Sequence, residues 1–415
     1  MQTSNLHLCI TLALLVFFSN TGLKTAHSQT ALGPDFDPLG LLEETQRKRE
    51  SIAAGTFGHL FNLVPEQTII NYADWNIDFA RETGITYLAY YASAGQFGSQ
   101  GSPQNSTGNG NTNLLIGWKP NWQSGENQGG FIFHYLNVGQ YGTSGVDFAQ
   151  SLGISSFTSD STSNVDLFRA IAWRQQLVDG RVDFRIGQLE PTTLFNAMPY
   201  ANDNRAFLAS PLSNEASRTV PAAGVGSTLI AEVHDNIFLG GAIADANGQG
   251  DFLDFDSFFK GDLMSSVYAA VEPELEGLGR GKYQIAAHFI EATDSTSYSR
   301  FLGINAEQDL GDNWAVFAKY NRAEKRQPAI RQSAATGIIK KKAFGFQEDW
   351  LGMGIGWSDP SDPSLRDEYV AETFWRMQAT PLIQVTPSLQ FWFDPAQTPN
   401  KDFQAVFTVR MLGEF

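Results

Sequence analysis

Leu382-Ile-Gln-Val-Thr-Pro-Ser-Leu-Gln-Phe-Trp-Phe393 is the stretch that decides the fold, because its side chains alternate in character. In an extended strand, successive side chains point to opposite faces. One face carries apolar residues: Ile383, Val385, Pro387, Leu389, Phe391 and Phe393. The other carries Gln384, Thr386, Ser388, Gln390 and Trp392. A strand of this length with two such faces predicts a wall between lipid and a wet lumen.

The stretches on either side repeat this alternation. In Glu368 to Gln378 the lipid-suited residues are Tyr369, Ala371, Thr373, Trp375 and Met377, opposite Glu368, Val370, Glu372, Phe374, Arg376 and Gln378. In Lys401 to Met411 they are Phe403, Ala405, Phe407, Val409 and Met411, opposite Asp402, Gln404, Thr408 and Arg410. Three consecutive strands with the same pattern predict a continuous membrane-spanning sheet.

Similar stretches recur along the whole chain. We predict sixteen strands near residues 84 to 94, 113 to 120, 130 to 138, 165 to 178, 181 to 188, 222 to 232, 235 to 245, 264 to 272, 281 to 291, 299 to 308, 312 to 320, 336 to 346, 350 to 357, 368 to 378, 382 to 393 and 401 to 411. Bacterial barrels close with an even number of strands. The predicted class is therefore all-β, a transmembrane antiparallel β-barrel of about 16 strands.

The connections between these strands alternate in length. Tight turns at Asp179-Gly180, His234-Asp235 and Leu310-Gly311 contrast with the long segments 95 to 112, 139 to 164 and 189 to 221. In outer-membrane barrels short turns are periplasmic and long loops are extracellular, and the same assignment is expected here.

The N-terminus has the features of an export signal. An apolar run from Leu8 to Phe18 is followed by a polar stretch ending in Ala26-His27-Ser28, which predicts a signal peptide over residues 1–28. Its removal takes away Cys9, the only cysteine, and so excludes a disulfide framework and a thiol nucleophile. We expect residues 29–80 to form an N-terminal periplasmic or lumenal segment, and residues 81–415 to form the barrel.

Charge and the C-terminus restrict the partners. The 28 Lys and Arg against 44 Asp and Glu give a net charge of −16, which disfavours nucleic acid. Phe415 ends an alternating strand and resembles the C-terminal signal read by the outer-membrane insertion machinery. The expected partners are outer-membrane lipid, this machinery and small solutes, with the chain a monomer or a homotrimer in the cell outer membrane.

Several stretches resemble the carbohydrate-selective porin family, the OprB-like porins. They are Ala80 to Tyr90 at the first strand, Val182-Asp-Phe-Arg-Ile-Gly-Gln188, the hairpin Glu372 to Gln390, and Phe393-Asp-Pro395 before the closing strand. The family's N-terminal Gly-Asp-Trp-Gly-Gly signature is absent, with Leu41 to Glu50 in its neighbourhood, which indicates a divergent member. The resemblance implies diffusion of small sugars through a sixteen-stranded barrel narrowed by inward-folding loops.

Seven polar residues are candidates to line such a passage: Asp183, Arg185, Arg205, Glu372, Arg376, Gln390 and Arg410. Sugar hydroxyls need both donors and acceptors, and binding must be weak for fast conduction. Glu372 and Arg376 share one strand face about 13 Å apart at 3.3 Å per residue. Simple pairing of these charges across neighbouring strands is the alternative.

Two other features bear on a constriction. Residues 190 to 221 form a long segment that carries Arg205 and Arg218 beside Asp203 and Glu215, and long loops are often functional; extracellular decoration is the alternative. Gly352, Gly354 and Gly356 form a face without side chains, which leaves lumen space for something bulky such as a folded-in loop.

Motifs that would indicate catalysis are missing. The sequence has no nucleophile elbow, phosphate loop or His-Glu-x-x-His, so an enzyme is not expected. Histidines 59, 134, 234 and 288 have no ligand spacing, so we expect neither a metal nor a cofactor. Two alternatives remain open: a barrel-embedded hydrolase, for example one that pairs His134 with a distant serine, and a plugged structural or adhesive barrel.

Overall fold

The computed structural model describes residues 38–99, 104–120, 127–156, 164–190, 198–218, 221–253, 255, 258–293, 297–324 and 329–415. The predicted signal peptide, residues 1–28, lies outside these ranges, as do residues 29–37 of the N-terminal segment.

Sixteen long strands make up most of the described chain. They are β1 Ile85–Gly98, β2 Ser106–Trp118, β3 Gly129–Gly142, β4 Val165–Leu177, β5 Val182–Leu189, β6 Gly224–His234, β7 Ile237–Asp245, β8 Leu263–Val271, β9 Gly279–Ile290, β10 Ser299–Leu310, β11 Trp314–Glu324, β12 Ile330–Lys341, β13 Trp350–Pro360, β14 Glu368–Thr380, β15 Ile383–Phe393 and β16 Phe403–Glu414. The two-residue strand Glu274–Leu275 lies in the β8–β9 turn and pairs with the start of β9.

The sheet closes on itself. Each long strand pairs antiparallel with the next, and β1 pairs with β16, so that Tyr90 is opposite Glu414 and Gly98 is opposite Val406. Closure leaves no unpaired edge in lipid, where an unpaired backbone group is costly. The predicted fold, a closed antiparallel barrel of sixteen strands, is confirmed.

The two faces of the wall differ as the alternation predicts. On β16, Phe407 and Met411 are exposed to the outside, whereas Thr408 and Arg410 are buried on the inside. The short turn Asp235–Asn236 and the long connection over residues 143–164 lie at opposite ends of the barrel, although the alternation is not strict, since the β2–β3 connection, residues 119–128, is longer than the β1–β2 connection, residues 99–105. The long connections mark the extracellular end and the short turns the periplasmic end.

Some predicted boundaries were wrong. The long segment predicted over 95 to 112 is mostly strand, because β1 continues to Gly98 and β2 begins at Ser106. Small side chains in Ser106–Thr112 gave no apolar signal, although the backbone still pairs with β1. The strand predicted over 336 to 346 is β12, which ends at Lys341 because Lys342 and Phe344 both have a φ of 54°.

Helices occupy the N-terminal segment and the connections. They are α1 Leu41–Ala53, α2 Glu66–Thr83, α3 Gly145–Leu152 and α4 Ser210–Ser213, with single 3-10 turns at Pro38–Gly40, Phe258–Lys260 and Ala343–Gly345. Helix α2 extends to Thr83, three residues past the predicted end of the N-terminal segment. Within the described ranges, no helix is long and apolar enough to cross a membrane.

Helices α1 and α2 pack together at the periplasmic end of the barrel. Arg49 of α1 pairs with Asp74 of α2 at 2.8 Å, and Lys48 lies 4.0 Å from Glu414 at the end of β16. The link between the helices donates from Leu60 N–H to the Gln378 carbonyl of β14, at 3.0 Å. Contacts to β16 and β14 place this helix pair at the periplasmic mouth, beside β14 to β16.

Candidate functional site

Residues 198–218 of the β5–β6 connection fold into the lumen. They are called the inward segment here, and Phe207, Ala209 and Leu212 within it are completely buried. The Phe207 ring packs 5.4 Å from that of Phe317 on β11 and 4.8 Å from that of Phe374 on β14, centroid to centroid. Because these partners point inward from the wall, the segment lies inside the barrel.

Glycines of β13 make room for this segment. A Cβ atom placed on Gly354 would stand 2.7 Å from the Leu212 side chain, and one on Gly356 would stand 2.9 Å from Pro211. Any larger residue at these positions would collide with the segment. The small-residue face predicted from the sequence therefore holds a folded-in loop.

Glu372 binds the backbone of the inward segment. Its carboxylate accepts hydrogen bonds from Leu208 N–H at 3.0 Å and from Ala209 N–H at 2.8 Å. Gln390 lies directly opposite on β15, and its side-chain carbonyl accepts from Trp392 Nε1 at 3.1 Å. Glu372 is only 2% exposed, so these bonds form away from water. A charged acceptor in this setting makes a strong hydrogen bond.

Two arginines hold the same segment from other directions. Arg410 of β16 donates to the carbonyls of Asp203 and Ala206, the latter at 2.8 Å. Arg205, which belongs to the segment, forms an ion pair with Glu414 at the periplasmic end of β16. The contacts of Glu372, Arg410 and Arg205 run down the lumen toward the periplasmic mouth.

The wall formed by β10 to β12 adds further contacts. Tyr200 donates from its hydroxyl to Asp309 at 2.6 Å, and Asp309 also pairs with Lys341 at 2.9 Å. Lys319 donates to the Asn214 carbonyl at 2.8 Å, and Ser217 N–H donates to Asn321 at 3.0 Å. Both ends of the inward segment are thus tied to the wall.

Residues 145–156 of the β3–β4 connection also fold inward, at the extracellular end. After α3, the N–H groups of Ser155 and Ser156 donate to the Glu368 carboxylate at 2.9 and 2.6 Å. Phe148 and Leu152 of α3 are completely buried, in the same apolar cluster as Phe207. Glu368 and Glu372 lie four residues apart on β14, so one strand anchors both connections.

The β4–β5 hairpin carries a different arrangement of charge. Asp183 accepts from Arg185 Nε at 3.0 Å and from Arg174 Nε at 2.6 Å. All three side chains face the lumen, because Ile186 on the alternate face is exposed to the outside. One carboxylate therefore bridges two guanidinium groups on neighbouring strands.

Arg376 contacts Trp350 rather than Glu372. Its guanidinium carbon is 3.5 Å from the centroid of the Trp350 ring, and Nη2 donates to the Glu348 carbonyl at 3.1 Å. Burial raises the pKa of the Glu348 carboxyl above its ordinary value, and the positive charge of Arg376 opposes this rise. Glu372 and Arg376, which share one face of β14, therefore bind different partners.

Glu368 and Arg174 were missed as site residues in the sequence. Glu368 has the same strand parity as Glu372, so the alternation alone could have found it. The tight turn after β4 fixes Arg174 opposite Arg185, so the hairpin register could have identified this neighbour. Their partners, the two serines after α3 and Asp183, depend on the fold.

The histidine named above for a hydrolase lies beside an amide side chain. His134 Nε2 lies 2.8 Å from the Asn113 side-chain oxygen. Among the residues that the structure describes, no group of three or more His, Cys, Asp or Glu could hold a metal ion.

Comparison with known proteins bears on the family. Residues 292–415 match the model of the carbohydrate-selective porin, OprB family. Porin AaxA of Chlamydia abortus is 23% identical over 296 residues, which covers 68% of this chain and 65% of that porin. The chain thus aligns with just under two thirds of this relative's length. These matches at low identity confirm the predicted resemblance to a divergent OprB-like porin.

Solved structures support the same fold. The high-pH structure of Pseudomonas putida OprB superposes with a TM-score of 0.71 at 16% identity, and covers 82% of this chain and 97% of that one. A mutant of the Rh. blastica porin gives a TM-score of 0.50 at 11% identity, with 80% and 100% covered. The closed barrel and the porin relatives place this chain in the outer membrane, as predicted.

Proposed function

We propose that this chain, a divergent relative of the OprB family of porins, is a passive channel for small hydrophilic solutes, with uncharged sugars as the preferred class. The inward segment is the observation that carries this proposal. It runs through the barrel interior and is fixed to the wall at Glu372, Arg410 and Asp309. Because the segment is fixed, it narrows the lumen permanently. A narrow passage of fixed width selects solutes by size.

The pairing of charges supports a preference for neutral solutes. Arg205 is paired with Glu414, Lys341 with Asp309, and Arg185 with Asp183. Close pairs of opposite sign produce a weak net field but still offer hydrogen-bond donors and acceptors. Hydroxylated solutes can exchange water for such groups one at a time, which keeps binding weak enough for conduction. Of the predicted set, Asp183 and Arg205 keep partly exposed side chains and, with Arg174 added, form the proposed pore lining, whereas Glu372, Gln390 and Arg410 are buried behind it.

Liposome swelling tests the proposal directly. Full-length protein would be reconstituted, and the rates would be compared for glucose, gluconate and glucosamine, which have similar size but differ in charge. We expect glucose to enter fastest. Rates that follow only the sign of the solute charge would contradict the preference for sugars.

A plugged structural barrel is the second candidate, and one observation favours it. Residues 145–156 and the inward segment both occupy the interior, and α1 lies at the periplasmic mouth. Planar-bilayer recording separates the two functions, since a channel gives stepwise conductance and a plugged barrel gives none. Protein whose barrel is intact by heat-dependent gel mobility, yet silent in the bilayer, would establish the plugged form.

A further inference from the structure

Helix α2 carries a row of aromatic side chains on its surface. Tyr72, Trp75 and Phe79 are spaced three and four residues apart, which places them on one side of a helix. Their rings stack in sequence, with centroids 6.3 and 5.6 Å apart and planes inclined by 24° and 17°. Trp75, in the middle, is 55% exposed. We call these three residues the aromatic ridge.

The ridge is connected to the outer face of the barrel. The Tyr72 hydroxyl lies 3.1 Å from the Tyr87 hydroxyl, and Tyr87 donates to the Asn76 side chain at 2.7 Å. Tyr87 belongs to the same face of β1 as Phe97, which is 53% exposed on the outside of the wall. Helix α2 therefore adjoins the lipid-facing side of the barrel at its periplasmic end.

Further aromatic residues continue this band along the barrel rim. Phe415 exchanges backbone hydrogen bonds with Ala89 at 2.8 and 3.0 Å, two residues from Tyr87 on β1. Trp118 ends β2 and Phe131 lies at the start of β3, both more than a third exposed. Aromatic belts of this kind mark the level of the lipid headgroups in outer-membrane barrels.

The other sides of α2 differ from the ridge. Ile69, Ala73, Ile77 and Ala80 are buried on a second side. Asn71 and Asp78 are exposed on a third, polar side. The link before α2 adds exposed Phe61 and Leu63. A helix with one packed, one polar and one aromatic side is suited to the boundary between water and lipid.

We propose that the aromatic ridge of α2 is a membrane anchor that inserts among the headgroups of the periplasmic leaflet. Its continuity with Tyr87, Phe415 and Trp118 argues for lipid rather than for a soluble partner, because these neighbours already lie at the lipid boundary. The ridge thereby attaches the α1–α2 pair, which lies at the periplasmic mouth, to the membrane and not only to the barrel.

Site-directed spin labelling tests the anchor. Single cysteines at Trp75→Cys, Phe79→Cys and the matched control Asp78→Cys would be introduced into the full chain with Cys9→Ser. Each variant would be labelled and reconstituted into vesicles of phosphatidylethanolamine and phosphatidylglycerol, after its barrel has been verified by heat-dependent gel mobility. Accessibility to oxygen and to a water-soluble nickel complex then reports the depth of each label.

We expect labels at 75 and 79 to show several-fold higher oxygen relative to nickel accessibility than the label at 78. Position 79 gives a second reading if the label at 75 disturbs the helix. Equal, water-like accessibility at all three positions would overturn the anchor. Labels at 75 and 79 that are accessible to nickel in the vesicles, and lose this accessibility only when a chitooligosaccharide is added, would also overturn it. The ridge would then be a glycan-binding surface.

Discussion

The β4–β5 hairpin and strand β14 both present carboxylates to the lumen, yet these carboxylates have different partners. Asp183 on β5 is bound by two guanidinium groups of the same hairpin. Glu368 and Glu372 on β14 are bound by backbone N–H groups that belong to the two infolded connections. The charges of the hairpin pair within the hairpin, whereas the carboxylates of β14 bind the two connections that lie inside the barrel.

The difference shows what alternation can and cannot tell. Strand parity assigns a charged residue to the lumen, but its partner depends on what else enters the lumen. A buried carboxylate that accepts from backbone N–H groups keeps its negative charge, because these donors carry no formal charge, and it fixes a loop. A carboxylate between two arginines is shared by two guanidinium groups of the wall. The two regions should therefore respond differently to the same kind of substitution.

Replacement of Glu372 by alanine should give the largest effect. The Leu208 and Ala209 N–H groups would lose their acceptor while still buried, at a cost of about 2–4 kcal/mol in the free energy of unfolding. We expect a looser inward segment, and so a larger and noisier single-channel conductance together with a lower unfolding temperature.

Glu372→Gln is the matched control, because it keeps one acceptor oxygen but removes the charge. It should preserve conductance steps near the native size and shift selectivity toward anions, as measured by reversal potentials in a salt gradient. Native conductance and stability in Glu372→Ala would show that Glu372 does not hold the segment, and would remove the contrast with the hairpin.

Asp183→Asn should have the second largest effect, and it tests the other region. Arg174 and Arg185 would lose the carboxylate that lies between them, at a cost of about 1–2 kcal/mol for a partly exposed group. We expect a clear shift toward anion selectivity with an unchanged conductance step. A changed step size would mean that the hairpin also positions the inward segment.

Gly354→Ala tests β13, the strand next to β14, without any change of charge. The added Cβ would stand 2.7 Å from the end of the Leu212 side chain, so this side chain or the segment must move, at a cost of about 1 kcal/mol from overpacking. Conductance should change and selectivity should not. Gly139→Ala, whose Cβ would find its nearest neighbour at 4.0 Å, is the control and should behave like the native protein. Identical conductance in both variants would contradict the close fit at Gly354.

The sequence predicted the barrel well because its cause is local. Lipid outside and water inside impose alternation on every strand, and Phe407 and Thr408 show this directly on β16. Glycine at position 354 even indicated a folded-in loop. The partners of Glu372 and Arg376 could not be predicted, because backbone N–H groups of a distant connection leave no pattern in the strand itself. The sequence did not predict helix α2. Its apolar positions are divided between the side that is packed and the side that forms the aromatic ridge.

The smallest effect is expected from Lys48→Gln, at the point where α1 meets the barrel. Lys48 lies 4.0 Å from Glu414 and its side chain is 29% exposed, while Glu414 keeps its ion pair with Arg205. A partly exposed pair at this distance contributes about 0.5 kcal/mol or less, and salt screens it. Thermal unfolding at low and high salt should therefore differ from the native protein only slightly, and only at low salt. A loss comparable to that of Glu372→Ala would instead mean that α1 sets the position of Arg205 through Glu414, so that the periplasmic mouth and the inward segment act as one unit.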